Sequence, residues 1–490
     1  MLRCLTLTAE KDTEKIEDIR RYAEFIDAVE IRLDLCEAKT PEMVNSVVAE
    51  SRRAGCGSVI LSYRRPQDTA DGPSDERDLR QEELRRDTLR RALQPGVSFV
   101  DLEYDVTDDE LRRRAESLGI RLIRSVHDFT GVPEELPEIV RSIAAAGGIP
   151  KIACYPRSSG QVLQLVRMCG EVQDVEEKII LGMGVFGFFT RTAPWICGSM
   201  LTFVSAGEKL AAPGQIGPRE MEEIYEASRH GKKTVLFGII GNPVMHTRSP
   251  HLHNRWFTDD GLDAVYLPFH VDDAGSFMEL AETIGVRGFS VTVPHKQRIM
   301  EYLDSADEGV RRIGACNTVL RQRDGWYGTN TDLEGFLEPL KSLLAEGRIR
   351  QALVIGAGGA ARTVVYALRQ QGIEVTIVNR TAEKARALAA EMGAGCTGLE
   401  AAENASGAPF DLVVQTTSVG MEPVIEGDPL PQFRFSGSET VYDIIYAPEK
   451  TRFLRRAEDA GCRVIGGRGM LQAQAELQYT RFRDSYNLWV

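Results

Sequence analysis

Long apolar runs are missing from this chain of 490 residues: no window approaches the roughly 18 consecutive apolar residues that a membrane-crossing helix needs, so no span is expected. Paired cysteines are missing too. Nine cysteines lie scattered from Cys4 to Cys462 without a Cys-x-x-Cys pair or a histidine-rich tract. That spacing gives no reason to expect a metal, and the odd count fits reduced core thiols in a cytoplasmic protein. There is no basic arm, and a formal charge of −13 argues against nucleic acid as a partner, so an anionic substrate has to be drawn in by local Arg and Lys. The run Met1-Leu2-Arg3-Cys4-Leu5 leads directly into a strand-like stretch, and neither signal nor transit peptide is expected from it. Internal repeats and long low-complexity linkers are also lacking. What remains, 43% apolar and 27% charged residues, describes a globular protein too long for a single core, so two or three domains are expected.

The most informative stretch is 351–381. A short β-branched run, Leu353-Val354-Ile355, is followed by Gly356-Ala357-Gly358-Gly359-Ala360-Ala361, by a helix with apolar Val364, Val365 and Leu368, and by a second strand at 373–378. Such a glycine loop lets a pyrophosphate approach the backbone at a helix N-terminus, which is the dinucleotide fingerprint. After the second strand come Asn379-Arg380-Thr381 where an acidic residue would bind the ribose hydroxyl of NAD. A guanidinium with a hydroxyl suits the 2′-phosphate of NADP instead, although nearby Glu383 leaves NAD open.

Upstream, from residue 1 to about 217, short strands alternate with amphipathic helices. Strands are expected at 4–8, 28–33, 58–63, 99–103, 121–126, 149–154, 179–183 and 201–204. Eight βα units predict a (β/α)8 barrel, with an open doubly wound sheet as the competing fold. The charged segment 68–78 reads as a loop over the barrel mouth, and 228–233 as the seam before a new strand at Thr234.

In such a barrel the C-terminal strand ends converge on one pocket. Here they carry Glu30, Arg32, Arg64, Glu103, His127, Lys151 and Met183, with Arg191 in the loop beyond, which reads as a cationic pocket with one imidazole. A lysine desolvated among arginines can present a free amine to a ketone and form a Schiff base. The plainer reading is that Lys151 pairs with Glu30 or Glu103 and only holds the barrel together. His127, one strand before it, is placed for acid–base work or for a structural bond.

The blocks Val29-Glu30-Ile31-Arg32-Leu33-Asp34, Ser125-Val126-His127-Asp128-Phe129, Lys151-Ile152-Ala153, Gly182-Met183-Gly184, Thr190-Arg191 and Ala212-Pro213-Gly214-Gln215-Ile216 resemble type I 3-dehydroquinate dehydratase, in order over 1–217. The resemblance implies that Lys151 forms an imine with the substrate ketone, that His127 moves the proton from the adjacent carbon, and that Glu30 holds the His. It also implies that Arg32, Arg64, Met183, Arg191, Phe203 and Gln215 bind substrate. Ala211 stands where the family often has Ser, which removes one substrate hydrogen bond.

In the C-terminal half, Thr247-Arg248-Ser249-Pro250 puts two hydroxyls at a helix start, where they cap it or grip a carboxylate. The strand Phe289-Ser290-Val291-Thr292-Val293-Pro294-His295-Lys296 delivers a lysine, and Gly314 to Val319 and Gly328-Thr329-Asn330-Thr331-Asp332 supply amide, hydroxyl and carboxylate groups. A lysine beside a carboxylate can protonate an alkoxide as hydride arrives. With 415–421, 442–446 and 469–474 these blocks resemble shikimate dehydrogenase over 234–490. The resemblance implies a catalytic pair Lys296 and Asp332, and a substrate site of Thr247, Ser249, Thr292, Asn317, Tyr446 and Gln474. Gly356, Gly358, Gly359 and Ala360 would hold the pyrophosphate; Asn379, Arg380 and Thr381 the adenosine phosphate; Thr416, Ser418 and Met470 would complete the NADP site. Thr247 stands where Ser is commoner and His295 where Phe is frequent.

Together the two halves resemble the bifunctional 3-dehydroquinate dehydratase/shikimate dehydrogenases, whose two reactions are consecutive. The implied domains are 1–228 and 234–490, the latter divided into a substrate lobe (234–340), an NADP lobe (345–465) and a returning helix (469–490). Small-molecule substrates are the expected partners, and an oligomer is left unassigned. The rival readings are a quinate-preferring dehydrogenase half and a non-catalytic metabolite sensor.

Overall fold

The structure, a computed structural model, describes residues 2–65, 79–206, 211–403 and 410–490; the loop expected at 68–78 lies outside them. Eight parallel strands, β1 (Leu2–Leu7), β2 (Ala28–Arg32), β3 (Ser58–Ser62), β4 (Phe99–Glu103), β5 (Arg121–Asp128), β6 (Ile149–Cys154), β7 (Ile179–Gly182) and β8 (Leu201–Ser205), form one sheet in the order 7-6-5-4-3-2-1-8. A backbone bond from Met200 N to Lys178 O, 2.9 Å, joins the two ends, so the barrel reading holds against the open sheet. β5 runs two residues beyond its expected end and thereby carries His127 within the strand.

Side chains alternate in and out along a strand, and this fixes what fills the barrel. Cys4, Ala28, Ile60, Phe99, Ile123 and Ile149 point inward and pack with Ile179 and Leu201. Two residues further along the same strands the inward face reads Thr6, Glu30, Ser62, Asp101, Ser125 and Lys151. An apolar plug therefore sits beneath a polar floor, and the site is built on the floor.

The chain divides into two compact units, Met1–Val286 and Arg287–Val490. The first thus extends past the seam read at 228–233. It includes the parallel pair β9 (Val235–Gly241) and β10 (Ala264–His270), and helix Ala274–Ile284 lies against the barrel helix Ser159–Glu171. Ser159 N donates to Asp272 (2.8 Å), Asp272 N donates to the Ser159 hydroxyl (3.2 Å), and Arg167 pairs with Glu279 at 2.6 Å.

Within the second unit, β11 (Val286–Val291), β13 (Thr318–Gln322) and β14 (Gly325–Thr329) pair antiparallel, with the short β12 (Ser305–Ala306) parallel to β14. The parallel sheet that follows has β15 (Gln351–Ile355), β16 (Glu374–Val378), β17 (Gly395–Thr397), β18 (Leu412–Gln415), β19 (Thr440–Asp443) and β20 (Arg463–Ile465). Their spatial order, β17-β16-β15-β18-β19-β20, is the doubly wound dinucleotide arrangement with its crevice between β15 and β18. Helix Arg468–Tyr486 returns to pack on helix Asp332–Leu337. Among the described residues no helix is long and apolar enough to cross a membrane.

At the end of β19, Asp443 is wholly buried and accepts from Ile445 N (3.0 Å) and the Thr451 hydroxyl (2.7 Å). Burial outweighs those bonds and raises its carboxyl from 3.8 to about 6. The native state then holds the proton more tightly than the unfolded chain, so Asp443 loses stability as pH rises from 3.8 to about 6. Melts of Asp443→Asn and the parent at pH 4 to 7 are expected to show the parent losing on the order of 2 kcal/mol relative to the variant across that window. Parallel curves would refute the assignment.

Candidate active sites

Beyond the polar floor the barrel opens into a pocket of about 100 Å3 lined by Thr6, Glu30, Arg32, Arg64, His127, Phe129, Lys151, Met183, Arg191, Phe203, Ala211 and Gln215, among others. Lys151 is buried, and its Nζ donates to Asp101 Oδ2 at 2.8 Å, lies 3.7 Å from Glu30, and sits 4.2 Å from the centre of the Phe203 ring. Glu30 is fixed by the hydroxyls of Thr6 (2.9 Å) and Ser62 (3.0 Å). Arg64 donates to Asp101 (2.9 Å) and Ser125 (3.1 Å), with His127 Nδ1 at 3.4 Å.

The pairings in the pocket differ from those the sequence suggested. The pocket is not simply cationic: Asp101 and Glu30 set two buried carboxylates against Lys151 and Arg64, so the lysine is not surrounded by uncompensated positive charge. Among the described residues His127 meets Arg64 and not Glu30, whose carboxylate lies 3.7 Å from Lys151. Arg32 and Arg64 are also committed, Arg32 to Asp34 through bonds of 2.9 and 2.6 Å and Arg64 to Asp101. They brace the wall of the site before any substrate arrives.

Arg191 is different. It is 2% exposed, its Nη2 donates to Pro213 O at 3.2 Å, and its Nε is buried without a partner among the described residues. Burial lowers its guanidinium from 12.5 to about 10, because no carboxylate among the described residues offsets the charge. A buried cation with an unused donor, opening on the pocket, fits a carboxylate ligand. The side-chain Oε1 of Gln215 accepts from Ala212 N (3.0 Å), which shapes the loop beside it.

The charges fall into two groups. Burial opposes ionisation of Asp101 and Glu30, yet for Asp101 the adjacent Arg64 and Lys151, and for Glu30 Lys151 and then Arg64, hold both below the usual carboxylate range. For His127, burial and then the charges of Arg64 and Lys151 act together and push the imidazole well below its usual range. The ring is therefore neutral at physiological pH. An arginine N–H can only donate, so His127 Nδ1 is the acceptor and the ring proton belongs on Nε2. The kcat/KM profile of the barrel reaction is accordingly expected to place no acid limb from His127 at the ordinary imidazole pH near 6.5; an acid limb at that pH, absent in His127→Asn, would contradict it.

Asp101 was missed because Glu103 drew attention at the strand end. The period-two rule could have found it, since Asp101 shares the inward face of β4 with Phe99. Glu103 pairs instead with Arg85 at 2.9 Å.

In the first unit, Thr247 donates its hydroxyl to Ser249 Oγ (3.1 Å) and accepts from Ser249 N (3.2 Å), leaving the Ser249 hydroxyl proton to a ligand. In the second unit, Lys296 Nζ and Asp332 Oδ2 are 2.5 Å apart, and Asp332 N donates to Asn330 Oδ1 at 3.0 Å. Asn317 accepts from Thr331 N (2.9 Å) and donates to the Thr331 hydroxyl (3.0 Å), so it ties two loops together. Gln478, buried and not anticipated, supports the same place by accepting from Ser290 (2.8 Å) and donating to Thr318 (3.0 Å). Thr292 is half-buried just beyond β11; Tyr446 is 39% exposed. Gln474 donates to Leu471 O (3.0 Å), and Gly335 allows its close approach, since a Cβ there would stand 2.7 Å from Gln474 Cβ.

At the glycine loop, Gly356 has φ +121, and a Cβ would come within 2.4 Å of the Thr416 hydroxyl, which donates to Ile355 O (2.6 Å). Gly358 precedes the 12-residue helix Gly359–Gln370 and has open space where a side chain would be. Asn379 donates to Thr381 O (2.9 Å), Arg380 is exposed and unpaired among the described residues, Ser418 is exposed and Met470 buried. An open backbone cradle at a helix start, with a free guanidinium past the second strand, fits a phosphorylated dinucleotide.

A lyase barrel joined to a nicotinamide-dependent oxidoreductase is the class that this fold and these sites define. Family models match as type I 3-dehydroquinase over 3–232, the shikimate dehydrogenase substrate binding domain over 239–319, and shikimate/quinate 5-dehydrogenase over 340–438. The chain is 30% identical to the chloroplastic bifunctional 3-dehydroquinate dehydratase/shikimate dehydrogenase of Arabidopsis thaliana, covering 98% of this chain and 82% of that one. It is 40% identical to the NADP(+) shikimate dehydrogenase of Shouchella clausii over 50% of this chain and 91% of that one. A crystal structure of shikimate 5-dehydrogenase from Thermus thermophilus with NADP(H) and shikimate aligns at 34% identity and TM-score 0.45, covering 52% of this chain and all of that one. The chain belongs to the family of bifunctional 3-dehydroquinate dehydratase/shikimate dehydrogenases.

Proposed function

We propose that residues 1–228 dehydrate 3-dehydroquinate to 3-dehydroshikimate, and that residues 234–490 reduce this product to shikimate, with the residues above in specific roles. The observation that carries the barrel assignment is the buried Lys151 held against Asp101 at 2.8 Å in a pocket that ends at Arg191. Asp101 holds the Lys151 nitrogen in place; once its ammonium proton has passed to solvent, the free amine adds to the ketone and the adduct loses water to give an imine. Neutral His127 removes the proton from the adjacent carbon, and the same proton leaves with the hydroxyl as water. Hydrolysis of the imine returns Lys151. Arg191 binds the carboxylate, with Arg32, Gln215 and the apolar Met183 and Phe203 enclosing the ring; Arg64 and Glu30 hold the catalytic groups in place.

In the second half, bound NADPH supplies the hydride to the ketone carbon. Lys296 protonates the oxygen, Asp332 orients and replenishes it, and Thr247, Ser249, Thr292, Asn317, Tyr446 and Gln474 bind the substrate. Gly356, Gly358, Gly359 and Ala360 carry the pyrophosphate, with Thr416, Ser418 and Met470 beside them, while Asn379, Arg380 and Thr381 take the 2′-phosphate. Removing a charge-assisted bond costs about 1.5–3 kcal/mol. Arg380→Ala is thus expected to raise KM for NADP by roughly ten- to a hundredfold and to leave KM for NAD nearly unchanged. An equal effect on both nicotinamides would refute the role of Arg380.

A coupled assay tests the whole reading: 3-dehydroquinate and NADPH should yield shikimate with one NADPH consumed per molecule. All nine cysteines are free thiols, which supports a reducing, cytoplasmic location. The related plant enzyme is described as chloroplastic, so cell fractionation is the deciding measurement.

A further inference from the structure

The segment that carries Arg191 does not rest on the barrel alone. Gly184–Gly187 and Phe189–Thr192 are two single-turn helices after β7, and their aromatic residues face β10, a strand beyond the barrel but in the same compact unit. Phe189 meets Phe269 with ring centres 5.2 Å apart, and Phe186 meets the edge of His270 at 4.7 Å. Phe269 is backed in turn by Phe277 at 5.3 Å. The void left among these rings is about 10 Å3, no more than one water needs. On its other side the segment is held by hydroxyls: Thr190 accepts from Gly182 N (2.8 Å) and donates to Gly187 O (2.7 Å), and Thr202 donates to Arg191 O (2.9 Å). Among the described residues the guanidinium of Arg191, two residues from Phe189, has a single bond, to Pro213 O.

We propose that Phe269 and His270 are positioning residues for the dehydratase reaction: strand β10, from the dehydrogenase half of the sequence, sets the place of Arg191 by packing on Phe189 and Phe186. This rests on the reading of Arg191 as the carboxylate anchor. A guanidinium with one bond and a buried, unused Nε among the described residues is located by its backbone, and the backbone is located on one side by the rings and on the other by the hydroxyls. Loosening the rings lets the anchor drift without touching Lys151 or His127. Displacements near 1 Å are enough to cost up to about a hundredfold in binding or rate.

The test uses the full-length chain without nicotinamide and measures inhibition of the dehydratase by the substrate analogue whose ketone is reduced to an alcohol, as its carboxylate and as its carboxamide. Phe269→Ala is expected to raise Ki for the carboxylate and KM for substrate about tenfold, with kcat within about threefold and Ki for the carboxamide unchanged. His270→Ala, which removes one edge contact and leaves the strand in place, gives the same selective loss on a smaller scale, and Phe269→Leu restores most of the affinity. Arg191→Gln is run beside them. If it fails to abolish the preference for carboxylate over carboxamide, the anchor reading falls and the inference with it. If Arg191→Gln abolishes the preference while both β10 alanine variants keep the parent Ki, or weaken both analogues alike, the inference alone is overturned.

Discussion

Replacement of Lys151 by Ala is expected to lower dehydratase turnover by roughly 10⁴-fold, since removal of a covalent nucleophile leaves only binding and the remaining dipoles. Reduction of 3-dehydroshikimate by the same preparation should stay at the parent rate. Borohydride added with 3-dehydroquinate should trap a reduced adduct on Lys151, readable as a mass increment on one peptide. An unmodified Lys151 under turnover would end the imine mechanism. Asp101→Asn offers the complementary measurement: it removes the negative charge 2.8 Å from the ammonium while keeping the shape. Trapping should become slower in that variant, because the nitrogen is no longer held by an ion pair on the path to the ketone.

The second large effect is expected at Lys296. Its ammonium lies 2.5 Å from Asp332, and general acid catalysis of this kind supplies about 10²–10⁴-fold. Lys296→Ala should lower kcat for 3-dehydroshikimate by that range while NADPH affinity and the dehydratase rate stay at parent values. Coupled assays on the two lysine variants then give opposite pictures: Lys151→Ala stops before any NADPH is used, whereas Lys296→Ala accumulates 3-dehydroshikimate. A Lys296→Ala enzyme that still consumed NADPH at the parent rate would remove the lysine from the mechanism.

Much of this architecture was legible from periodicity. Eight apolar runs at near-regular intervals gave the barrel strands to within one or two residues, and the glycine loop with its second strand gave the dinucleotide sheet. Sequence spacing placed Lys151 and His127 on neighbouring strands, and the register bears this out, with Ser125 opposite Lys151 and His127 opposite Ala153. What stayed hidden was pairing. Which carboxylate meets which cation depends on side-chain height across the barrel, and that height follows from strand stagger, which no local window contains. Hence Asp101, two residues below the more obvious Glu103, went unseen, and with it the pairing of Asp101 with Arg64. Gln478 was hidden for a similar reason: its neighbours Ser290 and Thr318 lie far back in the chain, and only the return of the last helix brings them together. The packing of Phe269 on Phe189 crosses the seam read at 228–233, so the same polar stretch that marks a boundary in sequence does not mark one in packing.

The Phe203 ring centre lies 4.2 Å from the Lys151 nitrogen. In the resting enzyme that nitrogen carries an ammonium charge, and in the covalent stage a protonated imine would carry a charge of the same sign on the same atom. The negative face of the ring is suited to both. Surrounding dipoles consequently need little reorganisation when the substrate becomes attached, and the stage at which they must adjust is confined to the brief interval in which the amine is neutral. A saturated residue of similar volume, as in Phe203→Leu, would keep the cavity filled but leave that charge less well matched in both resting and attached forms, so its penalty should fall on the two evenly and show little in the ratio between them.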